Sequence, residues 1–167
     1  MGKIYALASI KGGVGKTTIA GNLGVALGQM GRDTLLVDTD LAMSGLTQLL
    51  NVGEIKKSLQ ELLSKRVRVE DVIHSLPGKT NILPAGGELE SYLKAEPNKL
   101  ASILDEVKDD YDYIIVDTPP GLSKYNLEPM KASDSCILAV IPDPTAVSAA
   151  EKLESIATIL DIELGGH

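Results

Sequence analysis

Tryptophan and phenylalanine are absent, and five tyrosines make up the whole aromatic content. A core for this chain therefore has to be assembled from Ile, Leu, Val and Ala, the usual filling of buried parallel sheets. A single cysteine, Cys136, excludes an internal disulfide, and the lack of any Cys-x-x-Cys pair disfavours an iron–sulfur cluster. In its apolar segment, Ser135 to Val140, Cys136 reads as a small buried hydrophobe. His74 and His167 have no ligand-spaced neighbours and make no metal site by pattern. No apolar run reaches the roughly 20 residues of a membrane span, and the first strand pattern follows the initiating Met with no leader ahead of it. These absences, with the scarcity of cysteine, point to a cytoplasmic setting. Positive charge is short as well: 16 Lys and Arg against 23 Asp and Glu leave a net charge of -7. That balance repels nucleic-acid phosphates, so DNA is an unfavoured partner.

What is present fits one domain of 167 residues. Apolar runs alternate with helical periods, and no repeat or linker interrupts them. Strands are expected at Lys3 to Ser9, Thr34 to Asp38, Thr80 to Pro84, Tyr113 to Asp117 and Ser135 to Ile141. Helices are expected at Thr18 to Met30, with Ile19, Leu23, Leu27 and Met30 on one face, and at Leu41 to Leu50, Ser58 to Leu63 and Val69 to Leu76. The last of these would put His74 on a surface helix. Asn98 is read as the cap of a helix with Leu100, Ile103, Leu104 and Val107 on its apolar face. Asp143 caps a final helix with Pro144 at its first position, running to about residue 160. Gly21, Gly24 and Gly28 each cost the first helix roughly 1 kcal/mol relative to Ala, which close packing against a neighbouring backbone would offset. The alternation implies an α/β fold of three layers, α/β/α, around a mostly parallel sheet. Ligands of such sheets sit at the carboxyl ends of the strands. Three segments meet that description: Lys11 to Thr18, Asp38 to Gly45 and Asp117 to Gly121.

The first of these, Lys11-Gly12-Gly13-Val14-Gly15-Lys16-Thr17-Thr18, has the composition of a phosphate cradle. Gly12, Gly13 and Gly15 are able to take positive φ and turn successive amides towards one anion. The helix behind them aims its positive end at the same point. Lys16 would hold the β- and γ-phosphates, the Thr17 hydroxyl would coordinate Mg²⁺, and Thr18 would support the α-phosphate end. The general phosphate-loop pattern asks for Gly where this chain has Ile10, so the match is to a variant form with a second lysine, Lys11. Lys11 can swing away from its own site, and one reading has it cross a dimer interface to the partner's nucleotide. A cation supplied in that way is worth roughly 10³–10⁵ in rate, about 4–7 kcal/mol.

Phosphoryl transfer also needs a metal anchor and a group that positions water. Asp117 ends the apolar strand Tyr113-Ile114-Ile115-Val116, where a Walker-B aspartate sits on Mg²⁺ directly or through water. Asp38 is expected in the outer shell of the same ion. Asp40, two residues on, is better placed to orient the attacking water. Ser44 and Gly45 would complete a segment that senses the γ-phosphate, and Gly121 would let the Asp117 loop move when that phosphate leaves. Lys65-Arg66-Val67-Arg68 is a small basic patch that solvation alone explains.

Together, Lys11-Gly-Gly-Val-Gly-Lys16-Thr-Thr, Leu36-Val-Asp38-Thr-Asp40 and Ile115-Val-Asp117-Thr-Pro-Pro-Gly121 resemble the MinD/ParA family of deviant-Walker P-loop ATPases. Ser58 to Leu63, Asn81 to Gly87 and Ile141 to Val147 look most like its MinD branch, archaeal members included. The resemblance implies the P-loop NTPase fold, ATP/ADP and Mg²⁺ as ligands, and a homodimer in the ATP state with Lys11 acting in trans. It implies slow hydrolysis stimulated by an activating protein, and Pro142 and Asp143 near the nucleotide base. Such turnover switches protein or surface association, as in division-site placement. Members of the family run on past the point where this sequence stops, Ile162-Glu163-Leu164-Gly165-Gly166-His167. An adenine-reading asparagine and a membrane-targeting helix are expected there, which would make the protein peripheral on the inner face of the cell membrane. Two other functions fit the same residues: a ParA-like partition ATPase, which the acidic charge disfavours, and a nucleotide-binding interaction module with negligible turnover.

Overall fold

Alternating apolar residues from Lys3 onward give β1 (Lys3–Ala8), the second strand from one edge of a six-stranded sheet. A computed structural model of the chain describes residues 2–64 and 67–165. The other strands are β2 (Thr34–Asp38), β3 (His74–Leu76), β4 (Thr80–Leu83), β5 (Tyr113–Asp117) and β6 (Ser135–Leu138). Their order is β3-β4-β2-β5-β1-β6, with β3 antiparallel to β4 and every other pair parallel. Parallel neighbours need crossovers, supplied by α1 (Lys16–Gln29), α2 (Gly45–Leu49), α3 (Leu59–Ser64), α4 (Leu89–Lys94), α5 (Leu100–Val107) and α6 (Lys124–Lys131), and α7 (Pro144–Ile159) follows the last strand.

The two-residue period sorts strand residues onto two buried faces. Leu7, Leu36, Ile82 and Ile115 pack with Ala20 and Leu46, from α1 and α2. Ala6, Leu35, Val37, Ile114 and Val116 pack on the opposite face with Leu104, Met130 and Leu153. The result is the expected three-layer α/β/α P-loop NTPase fold, with the Ile-Leu-Val-Ala core that the missing aromatics required.

Several local expectations are corrected. Of the expected α1 face, Leu23 and Leu27 pack half-buried against the sheet cluster, whereas Ile19 is 47% and Met30 76% exposed; beyond Lys16 the fully buried positions are Ala20, Gly21, Gly24 and Gly28. Contact distance explains the glycines: a Cβ on Gly21 would press on Leu46 and Leu49, one on Gly24 would lie 2.5 Å from Leu36 Cδ2, and one on Gly28 would overlap the Thr80 hydroxyl. Small residues let helix and sheet approach, and that burial outweighs their poor helix propensity. Residues 69–76 do not form a helix; a short 3₁₀ turn, Val69–Asp71, is followed by β3, which carries His74 opposite Ile82. The cause is the Pro77-Gly78 turn: Gly78, with φ 77°, reverses the chain directly into β4. Asn98 caps nothing, because it lies within a 3₁₀ turn, Pro97–Lys99, that runs straight into α5. β6 stops at Leu138, and α1 starts two residues before the expected Thr18. Helices α4 and α6 were not expected at all.

Candidate functional site

The carboxyl ends of β1, β2 and β5 bring all three candidate segments to one edge of the sheet. In the phosphate loop, Gly13 (φ 72°) and Gly15 (φ 96°) adopt left-handed conformations. A Cβ at either would meet nothing within 4 Å, so conformation alone demands glycine there. Gly12 differs from expectation: it is not among the positive-φ glycines, and it approaches the Asp117 loop, 3.7 Å from Pro120 Cγ measured from an added Cβ. Gly15 is the N-cap of α1, no side chain caps that end, and the first turn carries no acid. Its amides therefore remain free for an anion. Val14 and Thr17 are half-buried and Thr18 is exposed.

Lys16 is 6% exposed. Its Nζ donates to Ser9 Oγ at 2.7 Å, and Ser9 Oγ donates in turn to the Lys11 carbonyl at 2.6 Å. Burial lowers the Lys16 pKa, an effect that the charges of Asp117 and Asp40 oppose. A buried ammonium with a neutral hydroxyl as its hydrogen-bond partner, near two carboxylates, is suited to pairing with an anion.

Asp38 and Asp117 stand side by side in register on β2 and β5, 0% and 1% exposed. Burial raises both pKa values to about 6. The two carboxylates are otherwise unlike. Asp38 Oδ2 accepts from the Thr47 amide (2.9 Å) and hydroxyl (2.7 Å), and its Oδ1 accepts from the Asp40 amide (3.1 Å). Asp117 Oδ1 is buried with no partner, and the Thr17 side chain faces that carboxylate. An unpartnered buried carboxylate oxygen beside a threonine hydroxyl, at the open end of a helix, fits the protein's share of a Mg²⁺ shell. Among the described residues no group of three or more His, Cys, Asp or Glu gathers into a metal cage. Mg²⁺ sites completed by phosphate and water need no such cage.

Asp40 is half-buried and lines a 170 Å³ cavity with Pro119, Ser123 and Tyr125. Its Oδ1 accepts from the Met43 amide (3.1 Å), and its carbonyl accepts from the Ser44 amide (2.7 Å). Ser44 is left-handed (φ 51°), and Gly45 then opens α2, where an added Cβ would lie 3.7 Å from Thr17 Oγ1. Opposite, the Asp117 loop is anchored by Thr118 Oγ1 donating to the Leu7 carbonyl (2.6 Å) and turns at Gly121 (φ 109°).

Lys11 points away from its own loop. Its Nζ donates to Asp143 Oδ1 at 3.3 Å and to the Thr145 hydroxyl. Asp143 caps α7 as expected, accepting from the amides of Thr145 (2.7 Å) and Ala146 (3.1 Å). The Thr145 hydroxyl first, then those amides and Lys11, hold its carboxyl down at about 2. Pro142 is exposed just before this cap.

The AAA domain family matches residues 2–163. The septum site-determining protein MinD of Pyrococcus horikoshii, solved in complex with Mg-ADP, is 34% identical with a TM-score of 0.94, over 99% of this chain and 69% of that one. This chain belongs to the MinD/ParA family of P-loop ATPases. Two curated relatives are each 36% identical. An uncharacterized ATP-binding protein of Methanocaldococcus jannaschii matches 98% of this chain and 62% of its own length, and the sporulation initiation inhibitor Soj of Bacillus subtilis matches 84% and 58%. A MinC:MinD cell division complex of Aquifex aeolicus is similar at 27% identity and a TM-score of 0.83, over 95% of this chain and 64% of that one. The chain thus spans about six-tenths of the length of the curated relatives.

Within this MinD/ParA site, sequence reasoning missed Ser9, Thr47 and Asn126. Ser9 holds Lys16, Thr47 holds Asp38, and Asn126 on α6 donates to Thr118 Oγ1 (3.2 Å) and the Pro119 carbonyl (2.8 Å). Only Ser9 had a usable signal, a polar residue directly after the buried strand β1. Cys136 is buried as expected, and burial pushes its thiol up to about 12. Of the basic cluster, Lys65 and Arg66 lie outside the described residues, as does His167, while Arg68 pairs with Glu70 at 3.2 Å. Among the described residues no helix is long and apolar enough to cross a membrane.

Proposed function

We propose that this chain is one nucleotide-binding domain of a MinD-type switch that binds MgATP, hydrolyses it and dimerises while ATP is bound. The observation that carries the reading is the unpartnered Asp117 oxygen beside Thr17, at the uncapped start of α1 and close to the buried Lys16. The amides of Gly13 to Thr18 and the Lys16 ammonium bind the phosphates. Thr17 and Asp117 would hold Mg²⁺, which when bound would supply charge neutralisation for the phosphates. Asp38 stands behind them and fixes α2 and the Asp40 loop. Asp40 accepts a hydrogen bond from the attacking water and orients it in line. Lys11, free of its own loop, exchanges Asp143 for the partner's nucleotide across a dimer interface. Pro142 and Asp143 flank the base. Slow turnover, a stimulating protein partner and attachment to the inner face of the membrane belong to the same reading, drawn from the family and from MinD relatives.

Phosphate release by the purified full-length protein tests it. Asp40→Ala lowers hydrolysis by about 10²-fold or more while MgATP binding persists and the dimer accumulates. Normal turnover in that variant removes Asp40 from the mechanism. Membership of a family that includes ParA-like proteins supports a second reading, a ParA-like partition ATPase that binds DNA. The charge of -7 opposes it, and a salt-dependent DNA mobility shift decides between the two.

A further inference from the structure

One buried amide side chain lies outside everything assigned so far. Gln60, on the first turn of α3, is 1% exposed. Its Nε2 donates to the Leu41 carbonyl at 3.0 Å. Its Oε1 accepts from the Gly86 amide at 3.0 Å; Ser58 Oγ also lies 2.9 Å away but donates its one proton to the nearer Glu61 carboxylate at 2.6 Å. The orientation is chemically forced, because a carbonyl can only accept and an amide N–H can only donate. Leu41 directly follows Asp40, so Gln60 grips the Leu41–Ala42 peptide one residue past Asp40, while Asp38 grips the peptide that enters it. The anchor is itself fixed, since the amide of Leu59 donates to the Pro84 carbonyl at 2.8 Å. An aliphatic side chain of this length would leave a carbonyl and an amide unsatisfied, and a carboxylate could not donate to Leu41.

We infer that Gln60 is a positioning residue for hydrolysis, holding the Asp40 loop through the Leu41 carbonyl at the distance from β4 that in-line attack requires. The inference rests on the reading of Asp40 as the residue that orients water. Gln60 touches neither phosphate cradle nor metal anchors, so it acts on turnover and leaves binding alone. A displacement of about 1 Å in such a group costs up to about 10²-fold in rate.

The experiment uses full-length protein and compares Gln60→Met, Gln60→Glu and Leu104→Ala. The first removes both halves of the bridge. The second keeps the acceptor side and loses the donor to Leu41. The third empties a core position on α5 and serves as the stability control. MgATP Kd, single-turnover hydrolysis, thermal midpoint and amide exchange of residues 40–47 are measured for each. Both Gln60 variants should lose about tenfold or more in hydrolysis at saturating ATP, keep Kd within about threefold and exchange faster at 40–47, while Leu104→Ala loses thermal stability without that split. Hydrolysis at the wild-type rate in either folded Gln60 variant overturns the inference. So does a rise of Kd in parallel with a fall in rate in all three, or failure of both Gln60 variants to fold while Leu104→Ala folds, since each makes Gln60 merely structural. An inactive Asp40→Ala beside a normal Gln60→Met sinks the Gln60 role alone. A fully active Asp40→Ala sinks the catalytic reading beneath it.

Discussion

The phosphate loop and the Asp38–Thr47 segment lie at the same sheet edge, yet they are held by opposite means. In the phosphate loop the shape comes from backbone conformation at Gly13 and Gly15, the helix end is uncapped, and Lys16 has one neutral partner. In the acidic segment nearly every polar group is spoken for: Asp38 accepts three hydrogen bonds, Asp40 folds the chain back on itself, and Gln60 and Thr47 tie it to the end of β4. The lesson is a division of labour. A ligand-binding surface keeps its donors unsatisfied until the anion arrives, whereas a water-orienting group has to be fixed in advance.

The largest expected effect breaks the cradle side. Lys16→Ala weakens MgATP binding by about 100-fold or more, about 2.8 kcal/mol, in a calorimetric titration. Thr47→Val attacks the other side. It strips a buried hydroxyl from Asp38 and from the Ala85 amide, so unfolding in urea should show a loss of about 2 kcal/mol or more. A glycine pair sharpens the contrast within the cradle. Gly15→Ala, at φ 96°, costs about 1–2 kcal/mol, whereas Gly12→Ala, with ordinary φ and room for a Cβ, costs under about 0.5 kcal/mol. Equal costs in thermal melts would mean that conformation is not what selects these glycines.

The smallest effect concerns Asp143. Its folded pKa of about 2 lies below the ordinary carboxylate value, so its stabilising contribution is complete above that value and fades as pH falls towards 2. Asp143→Asn should therefore lower the melting temperature at neutral pH and leave the lowest pH values less changed, which flattens the acid limb of the thermal stability profile. An unaltered acid limb would show that the cap is not ionically coupled to the fold.

Legibility in the sequence followed the range of the interactions. β2 and β5 were readable to the residue because five consecutive apolar or strand-forming positions ending in Asp have no competing period. The phosphate loop was readable because its chemistry is contiguous. The buried face of α1 was legible only in part: Leu23 and Leu27 pack on the sheet, but Gly24 and Gly28 make the closest approach and Ile19 and Met30 stay exposed. Helix α6 was hidden by an internal proline, Pro129, and by a polar composition. Thr47, Gln60 and Asn126 escaped because their partners lie between 7 and 38 residues away and carry no periodic mark.

The central claim is that glycine-shaped amides, Lys16, Thr17 and Asp117 together hold a magnesium–triphosphate. Isothermal titration of ATP into full-length protein, with magnesium and then with EDTA, tests it most directly. Saturable binding that weakens sharply without magnesium, and disappears in Lys16→Ala, is the expected result. A folded protein with no magnesium-dependent affinity for ATP at millimolar concentration contradicts it.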